Sequence, residues 1–446
     1  MLTAFIRAFR TPDLRRKLLF TLGIIALFRL GSTIPTPGVS EKAVNYCTGL
    51  ESTSGSAGVY QLVNLFSGGA LLKLTIFALG IMPYITASII LQLLAVVIPR
   101  LETLRQEGQA GQAKITQYTR YLTVGLAILQ STGFVALARS GNLLGNCKES
   151  LIPNSSVFTI STMVVCMTAG TAVIMWLGEL ITDRGVGNGM SLMIFTQVIA
   201  VIPGYFLSIY RSKHIFVLAV VVIVAVAIVA FIVFMEQAQR RIPVQYAKRM
   251  VGRKMYGGTS TYIPLKVNQA GVIPVIFASS LLYIPQLVAS LFGKQTKPQP
   301  WVTFIDKYLI MPGQSSTTAT LNNSAIYMIL FFLLIVFFTY FYVSITFNPT
   351  EVADNMKKYG GFIPGIRPGR PTAEYLSYVL SRLTAPGSGY LGLIAIIPLI
   401  AFALVGASTQ FPFGGTSILI AVGVWLDTVK QIESQLQQRN YEGFLR

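Results

Sequence analysis

Long apolar stretches separated by short polar segments run through almost the whole of this 446-residue chain. A helix that crosses a bilayer needs about 20 apolar residues, at roughly 1.5 Å of rise for each. Only 11% of the residues are charged, against about 25% in a soluble domain. The pattern therefore predicts an all-α integral membrane protein with ten transmembrane helices. The predicted spans are 18–34, 75–97, 121–138, 158–180, 191–209, 215–234, 270–291, 325–347, 375–404 and 416–432.

One apolar stretch is broken in its middle. A short apolar segment at 59–66 ends at Ser67-Gly68-Gly69, and the chain then resumes as the second predicted span, with Pro83 inside it. Irregular backbone at membrane depth is tolerated only where protein shields it or where it lines a water-filled cavity. The break therefore predicts a half-helix that lies in a cavity and leads into a spanning helix. In the same way, Pro386-Gly387 predicts an interruption of the ninth span.

The basic residues lie unevenly between the two sides of the predicted membrane. The formal charge is +19, and most of the 35 Lys and Arg residues fall in one set of alternating loops, together with both termini. Cytoplasmic loops carry this excess, so both termini are predicted to be cytoplasmic. Membrane topology explains the positive charge better than nucleic-acid binding does. Arg29 lies within the first span, where snorkelling or an interhelical hydrogen bond explains it.

Span counting divides the chain into two halves of five spans, residues 1–210 and 211–446. Because each half has an odd number of spans, the second half enters the membrane from the opposite side. This is the arithmetic of an inverted repeat, in which the functional pathway lies at the interface of the halves. Two cytoplasmic loops, 236–267 and 348–374, are long, basic and rich in Gly and Pro. Lipid headgroups would explain the charge alone, but the turn signals favour a docking surface for a soluble partner.

Few residues in the spans are suited to catalysis or ion coupling. Apart from Glu179 at the inner end of the fourth span, Asp427, near the cytoplasmic end of the tenth, is the one carboxylate inside a predicted span, and His214 is the only histidine. Ion-coupled transporters need ionisable groups near the midplane, so a secondary transporter is the weaker alternative. An intramembrane enzyme lacks a nucleophile and base pair, and the glycine-rich segment 184–189 is predicted to be a tight turn. No metal or cofactor motif is present.

The three cysteines and two amides leave alternatives open. Cys47 and Cys147 both fall in predicted outer loops, where a disulfide between them is one possibility and two free thiols the other. Cys166 is expected to be a buried, small apolar residue. Gln92 and Asn268 lie within or beside spans, where such amides either join helices or line a seam that opens.

Several long motifs, in order along the chain, resemble those of the SecY family of protein-translocation channels. They are NLFSGGALLKLTIFALGIMPYITASII at 64–90, EGQAGQAKITQYTRY at 107–121, MWLGELITDRGVGNGMS at 175–191, PLKVNQAGVIPVIFASS at 264–280, FNPTEVADNMKKYGGFIPGIRPGRPT at 347–372 and FGGTS at 413–417. The resemblance implies a ten-helix clamshell of two pseudo-symmetric halves with an hourglass pore between them. It also implies that unfolded secretory chains cross the pore and that signal peptides and membrane spans leave it sideways.

The resemblance also assigns a pore ring and a plug. The aliphatic ring that seals the pore is implied at Ile81, Ile85, Met190, Ile194, Ile276 and Ile420. Met190 departs from the isoleucine usual in bacterial relatives, so the seal there is expected to be softer or repacked. The plug is implied at 59–72, with Val59, Leu62, Phe66, Gly68 and Gly69 as its named residues.

The remaining implied sites face the lipid and the cytoplasm. The lateral gate is expected between the second span, with Gln92, and the seventh, with Asn268. Arg253, Lys254 and Arg367 fall on the cytoplasmic loops that contact the ribosome and the motor ATPase SecA. The resemblance further implies the small subunits SecE and SecG, membrane lipids as surroundings, a bacterial plasma-membrane location and no enzymatic activity.

Overall fold

Residues 9, 11–44, 46–47, 67–139, 151–154, 156–212, 215–246, 249–251, 254–256, 260–292, 300–309, 321–405 and 415–442 are described by the computed structural model. Helices make up most of this part of the chain. Up to residue 237 they are α1 (Pro12–Gly31), α2 (Met82–Val97), α3 (Pro99–Gln106), α4 (Gln109–Arg139), α5 (Val157–Arg184), α6 (Gly189–Ser212) and α7 (Ile215–Gln237).

Short strands and further helices follow α7. The strands between α7 and α8 are β1 (Gln239–Tyr246), β2 (Arg249–Val251), β3 (Lys254–Tyr256) and β4 (Ser260–Lys266). The remaining elements are α8 (Ile273–Phe292), α9 (Pro300–Tyr308), α10 (Leu321–Thr346), α11 (Pro349–Lys358), β5 (Gly361–Phe362), α12 (Arg370–Val405) and α13 (Gly415–Glu442).

Every predicted span overlaps one of these helices. Within the described residues, three helical stretches are each long and apolar enough to cross a bilayer. They are Gln109–Arg139 (α4), Val157–Arg184 (α5) and Ala325–Lys358, which covers most of α10 together with α11. Helices α2 and α3, bent by 105° at their junction, pass the same test only as a pair. The helical bundle is therefore as expected, and the count of ten spans stays a prediction.

The second span does not begin where the sequence predicts. Residues 67–81 form successive turns, and the helix starts only at Met82. Backbone groups of the turns bond to the chain after α1, because Thr36 donates to the Leu74 carbonyl from both N (3.0 Å) and Oγ1 (2.8 Å). Pro83 lies in the first turn of α2, where its missing N–H costs nothing. The prediction of one span over 75–97 is therefore wrong in its first seven residues.

The predicted interruption of the ninth span is also wrong. Helix α12 runs without a break from Arg370 to Val405 and includes Pro386 and Gly387. A side chain at Gly387 would lie 2.5 Å from the Val267 carbonyl oxygen. The glycine therefore allows α12 to approach the β4–α8 connection closely, and this packing outweighs the low helix propensity of the pair.

The two loops predicted to be cytoplasmic form one folded body in their described parts, here called the projection (the described residues within 239–266 and 348–379). Strand β1 pairs antiparallel with β4, and its far end pairs with β5 at Gln245↔Phe362 and Tyr246↔Gly361. Beneath the sheet lies a small apolar core that includes Ile242, Val244 and Leu376. The sequence predicts two separate loops, and the β1–β5 pairing joins them.

Three hydrophobic clusters organise the helices. One packs the turns at 67–79 against α4 and α5, with Leu71, Leu74 and Phe134 at its centre. A second lies among α8, α10 and α12. The third lies between these two and draws residues from α1, α2, α5, α6, α8 and α13. Because α2 and α4 also contact α8, the central cluster lies where the two predicted halves meet.

Candidate functional site

Aliphatic side chains from four helical segments converge in the central cluster. Ile81, Ile194, Ile276 and Ile420 are buried there, and Ile85 and Met190 are half-buried and pack against it. Ile81 directly precedes α2 and Ile85 lies in its first turn, Met190 and Ile194 come from the start of α6, Ile276 from α8 and Ile420 from α13. The structure thus brings together the six residues that the sequence assigned to a ring.

The local sequence explains how Met190 fits into this cluster. A Cβ at Gly178 would lie 2.6 Å from the Met190 Sδ, and a Cβ at Gly189 would lie 1.8 Å from the Gly178 carbonyl oxygen. The paired glycines therefore allow α5 and α6 to touch through their backbones. The unbranched thioether of Met190 fills the space over Gly178, as a flexible side chain does in an irregular gap.

The segment 184–189 is the tight turn that the sequence predicts. Gly187 has a φ of 87°, and the Asn188 side chain accepts hydrogen bonds from Met190 N (3.1 Å) and Ser191 N (3.3 Å). These bonds cap the N-terminus of α6. The glycine-rich turn therefore fixes the start of the helix that carries Met190 and Ile194.

A cavity of about 540 Å³ opens beside the cluster. Its lining includes five of the six converging residues, namely Ile85, Met190, Ile194, Ile276 and Ile420. Away from them it is lined by polar groups on α2, α4 and α5, among them Gln92, Arg120 and Glu179. The cavity therefore changes from a polar wall to an aliphatic one.

An ion pair on the polar wall was not found by sequence reasoning. Arg120 Nε lies 2.9 Å from Glu179 Oε1, and Arg120 Nη2 lies 2.8 Å from Glu179 Oε2. Arg120 also donates to the Gln117 side chain at 3.1 Å. The signal available was the opposite charge at facing ends of two neighbouring predicted spans. The bidentate pair fixes α4 against α5 at the cavity wall.

The two predicted gate amides lie in separate cavities. Gln92 lines the 540 Å³ cavity and donates weakly to Ser88 Oγ at 3.5 Å. Asn268 is buried, lines a neighbouring cavity of about 580 Å³, and donates to Glu236 Oε1 and to the Gly271 carbonyl at 3.2 Å. Helices α2 and α8 contact each other, but these two side chains do not bond to one another.

The glycine break before α2 is a true bend. Gly68 and Gly69 have φ values of 66° and 87°, which residues with a side chain rarely adopt. Arg29 Nη1 donates to the Gly68 carbonyl at 3.1 Å, so Arg29 bonds to the turn before α2 and neither snorkels nor joins two helices. The plug residues Val59, Leu62 and Phe66 lie outside the described part of the chain.

The predicted docking residues belong to the projection. Arg367 is exposed on a turn between β5 and α12, and its carbonyl accepts a hydrogen bond of 2.9 Å from Thr372 Oγ1. Lys254 is the first residue of β3 and pairs with Val251 of β2. Arg253 lies outside the described residues.

The structure gives the bonding state of two of the three cysteines. Cys47 is disulfide-bonded and buried, whereas Cys166 is a free, half-buried thiol. Cys147, the third cysteine, lies outside the described residues.

The chain is similar to known channel proteins over its whole length. A family model described as SecY matches residues 75–429. The protein translocase subunit SecY of Streptomyces coelicolor is 65% identical, with all of both chains covered. A solved protein-conducting channel has a TM-score of 0.63 at 21% identity, covering 94% of this chain and 91% of the other. The channel of a canine ribosome–channel complex has a TM-score of 0.60 at 20% identity, over 94% and 91%.

The helical bundle, with aliphatic side chains lining its central cavity, has the fold of protein-conducting membrane channels. The chain belongs to the SecY family.

Proposed function

We propose that this chain forms the path by which unfolded secretory proteins cross the plasma membrane, and that membrane proteins leave it sideways into the lipid. The single observation that carries this role is the convergence of six apolar side chains in the central cluster, five of which line the 540 Å³ cavity. They belong to helices of both halves. A path between the halves would therefore have to pass through them.

The chemistry of these six side chains suits a seal that must also open. An apolar constriction excludes water and ions by dewetting. Apolar side chains make no directional bonds, so they give way around a passing chain of any sequence without binding it. A transporter for one solute would need the opposite, a set of fixed polar ligands.

The proposed pathway lies between two halves of the chain, with their boundary at residue 210. Residues 1–210 and 211–446 form the two halves, with an inverted relationship and both termini in the cytoplasm. The contact of α2 with α8 supports a lateral gate between these helices. Signal peptides would leave there, past Gln92 and the loop that holds Asn268. The segment 59–72, hinged at Gly68 and Gly69, is proposed as the plug.

The projection is the proposed docking surface. Its folded core and exposed basic turn fit a rigid contact with the ribosome or with the motor ATPase SecA, through Arg253, Lys254 and Arg367. Ribosome-bound channels share the fold. SecE and SecG are the proposed small subunits, and the chain itself is proposed to catalyse no reaction.

Ion conductance tests the proposed seal. Ile81, Ile85, Ile194 and Ile276 would be replaced by serine, one at a time, and the purified complex reconstituted into planar bilayers. Each change adds a polar group to the ring, so ion leak should rise. Val165→Ser, at an α5 position that is 65% exposed, is the matched control and should leave conductance unchanged. Equal conductance in ring and control variants would contradict the assigned pore.

A further inference from the structure

Arg105 joins the two halves of the molecule. It is exposed on α3, and its Nη2 donates a hydrogen bond of 3.0 Å to the carbonyl oxygen of Ile345, in the last turn of α10. The two residues are 240 positions apart in the sequence. Helix α3 belongs to the N-terminal half and α10 to the C-terminal half, so the bond spans the boundary between them.

The sequence itself leaves this carbonyl free. In a continuing helix, the Ile345 oxygen would accept from the N–H of the residue four positions later. That residue is Pro349, the first residue of α11, which has no N–H. The carbonyls at a helix C-terminus also carry partial negative charge, which attracts a guanidinium. Pro349 thus leaves the Ile345 carbonyl without a helical donor, and Arg105 supplies one.

The bond lies beside the contact between α2 and α8. Arg105 is connected to α2 through the sharp bend at Ile98. Ile345 lies one turn after Tyr342, whose ring packs edge-on against Phe277 of α8, with centroids 6.4 Å apart. Separation of α2 from α8 therefore moves donor and acceptor apart, because each is carried by one of the two helices or its direct packing partner.

We propose that Arg105 is a latch for the lateral gate, which holds α3 on the end of α10 and must break before α2 and α8 separate. The proposal rests on the sideways exit described under Proposed function. Both partners are accessible to water, so the guanidinium and the carbonyl are rehydrated when the bond breaks. One such bond shifts the closed–open equilibrium by about fivefold, which favours closure without preventing opening.

A distance measurement tests the latch without any transport. Nitroxide labels at Glu102→Cys and Ser344→Cys, both exposed positions, would report the α3–α10 distance in the purified complex, with Cys166→Ser to remove the free thiol. Arg105→Ala should raise the population with the longer distance about fivefold. Arg100→Ala, an exposed arginine on the same helix, should leave the distribution unchanged.

A second variant changes the hydrogen bonding of the acceptor, the Ile345 carbonyl. Pro349→Ala removes the ring that favours the extended conformation of Asn348. Helix α10 can then continue, and the new N–H at 349 competes for the Ile345 carbonyl, so the distance should lengthen even though Arg105 is intact. The double variant should add little to either single change. The latch would be overturned if neither Arg105→Ala nor Pro349→Ala changed the distance distribution of the parent protein. Because the readout needs no substrate, a failure of the channel role would appear separately, in the conductance of the ring variants.

Discussion

The guanidinium of Arg29 holds the carbonyl of Gly68, with 3.1 Å between Nη1 and the oxygen. One residue lies on the first helix and the other on the bend before α2. Gly68 is buried, so water does not readily replace this donor. The contact explains why a charged residue lies within an otherwise apolar span.

Replacement of Arg29 should loosen the bend. Arg29→Met leaves the Gly68 carbonyl without this donor, at a cost of about 1–3 kcal/mol. Amide hydrogen exchange over residues 67–80 of the purified complex should become faster. Arg29→Lys keeps a charged donor and should have a smaller effect, and Arg139→Met, at the exposed end of α4, should have none. Unchanged exchange in Arg29→Met would show that the bond does not stabilise the bend.

The two glycines of the bend should differ in their tolerance of a side chain. Both have positive φ, so alanine is strained at either position by about 1 kcal/mol. A Cβ at Gly68 would also lie 3.3 Å from the Gln197 Cα, whereas nothing lies within 4 Å at Gly69. Gly68→Ala should therefore lower the thermal midpoint more than Gly69→Ala. Equal midpoints would mean that backbone conformation alone, and not the fit against α6, requires glycine.

The α5–α6 contact should be sensitive to one methyl group. Gly189→Ala places a Cβ 1.8 Å from a backbone oxygen, which cannot move aside as a side chain would. We expect a loss of at least about 1–3 kcal/mol, as for overpacked cores. Gly125→Ala, within α4 and with nothing nearby, should be neutral or stabilising by about 0.5–1 kcal/mol. Thermal unfolding in detergent compares them, and a tolerated Gly189→Ala would contradict the close backbone approach.

Loss of the Thr372 hydroxyl should weaken motor-driven translocation, because this hydroxyl positions the turn that carries Arg367. Thr372→Val removes the hydroxyl that holds the Arg367 carbonyl while keeping the side-chain shape. If the motor ATPase binds to the Arg367 turn, motor-driven translocation should fall by about two- to fivefold. The effect should vanish in an Arg367→Ala background. Thr384→Val removes a similar bond within α12 and serves as control; equal activity of the two variants would dissociate Thr372 from the docking turn.

Hydropathy found the helices because the bilayer demands one long apolar run for each crossing. It misplaced the start of α2, because the turns at 67–81 are held by Thr36 and other residues distant in sequence. It also missed the β1–β5 pairing, since β5 has only two residues and no strand pattern of its own. Motif resemblance singled out the six residues that converge in the central cluster. Opposite charges at facing span ends allow the Arg120–Glu179 pair but do not specify it, and the Arg105–Ile345 contact has no sequence signal because its acceptor is a backbone carbonyl.

The β1–β5 pairing connects the projection mechanically to three helices. Strand β1 continues directly from α7, β4 leads into α8, and β5 leads into α12. A load applied to this sheet is therefore divided among α7, α8 and α12, instead of pulling on a single helix.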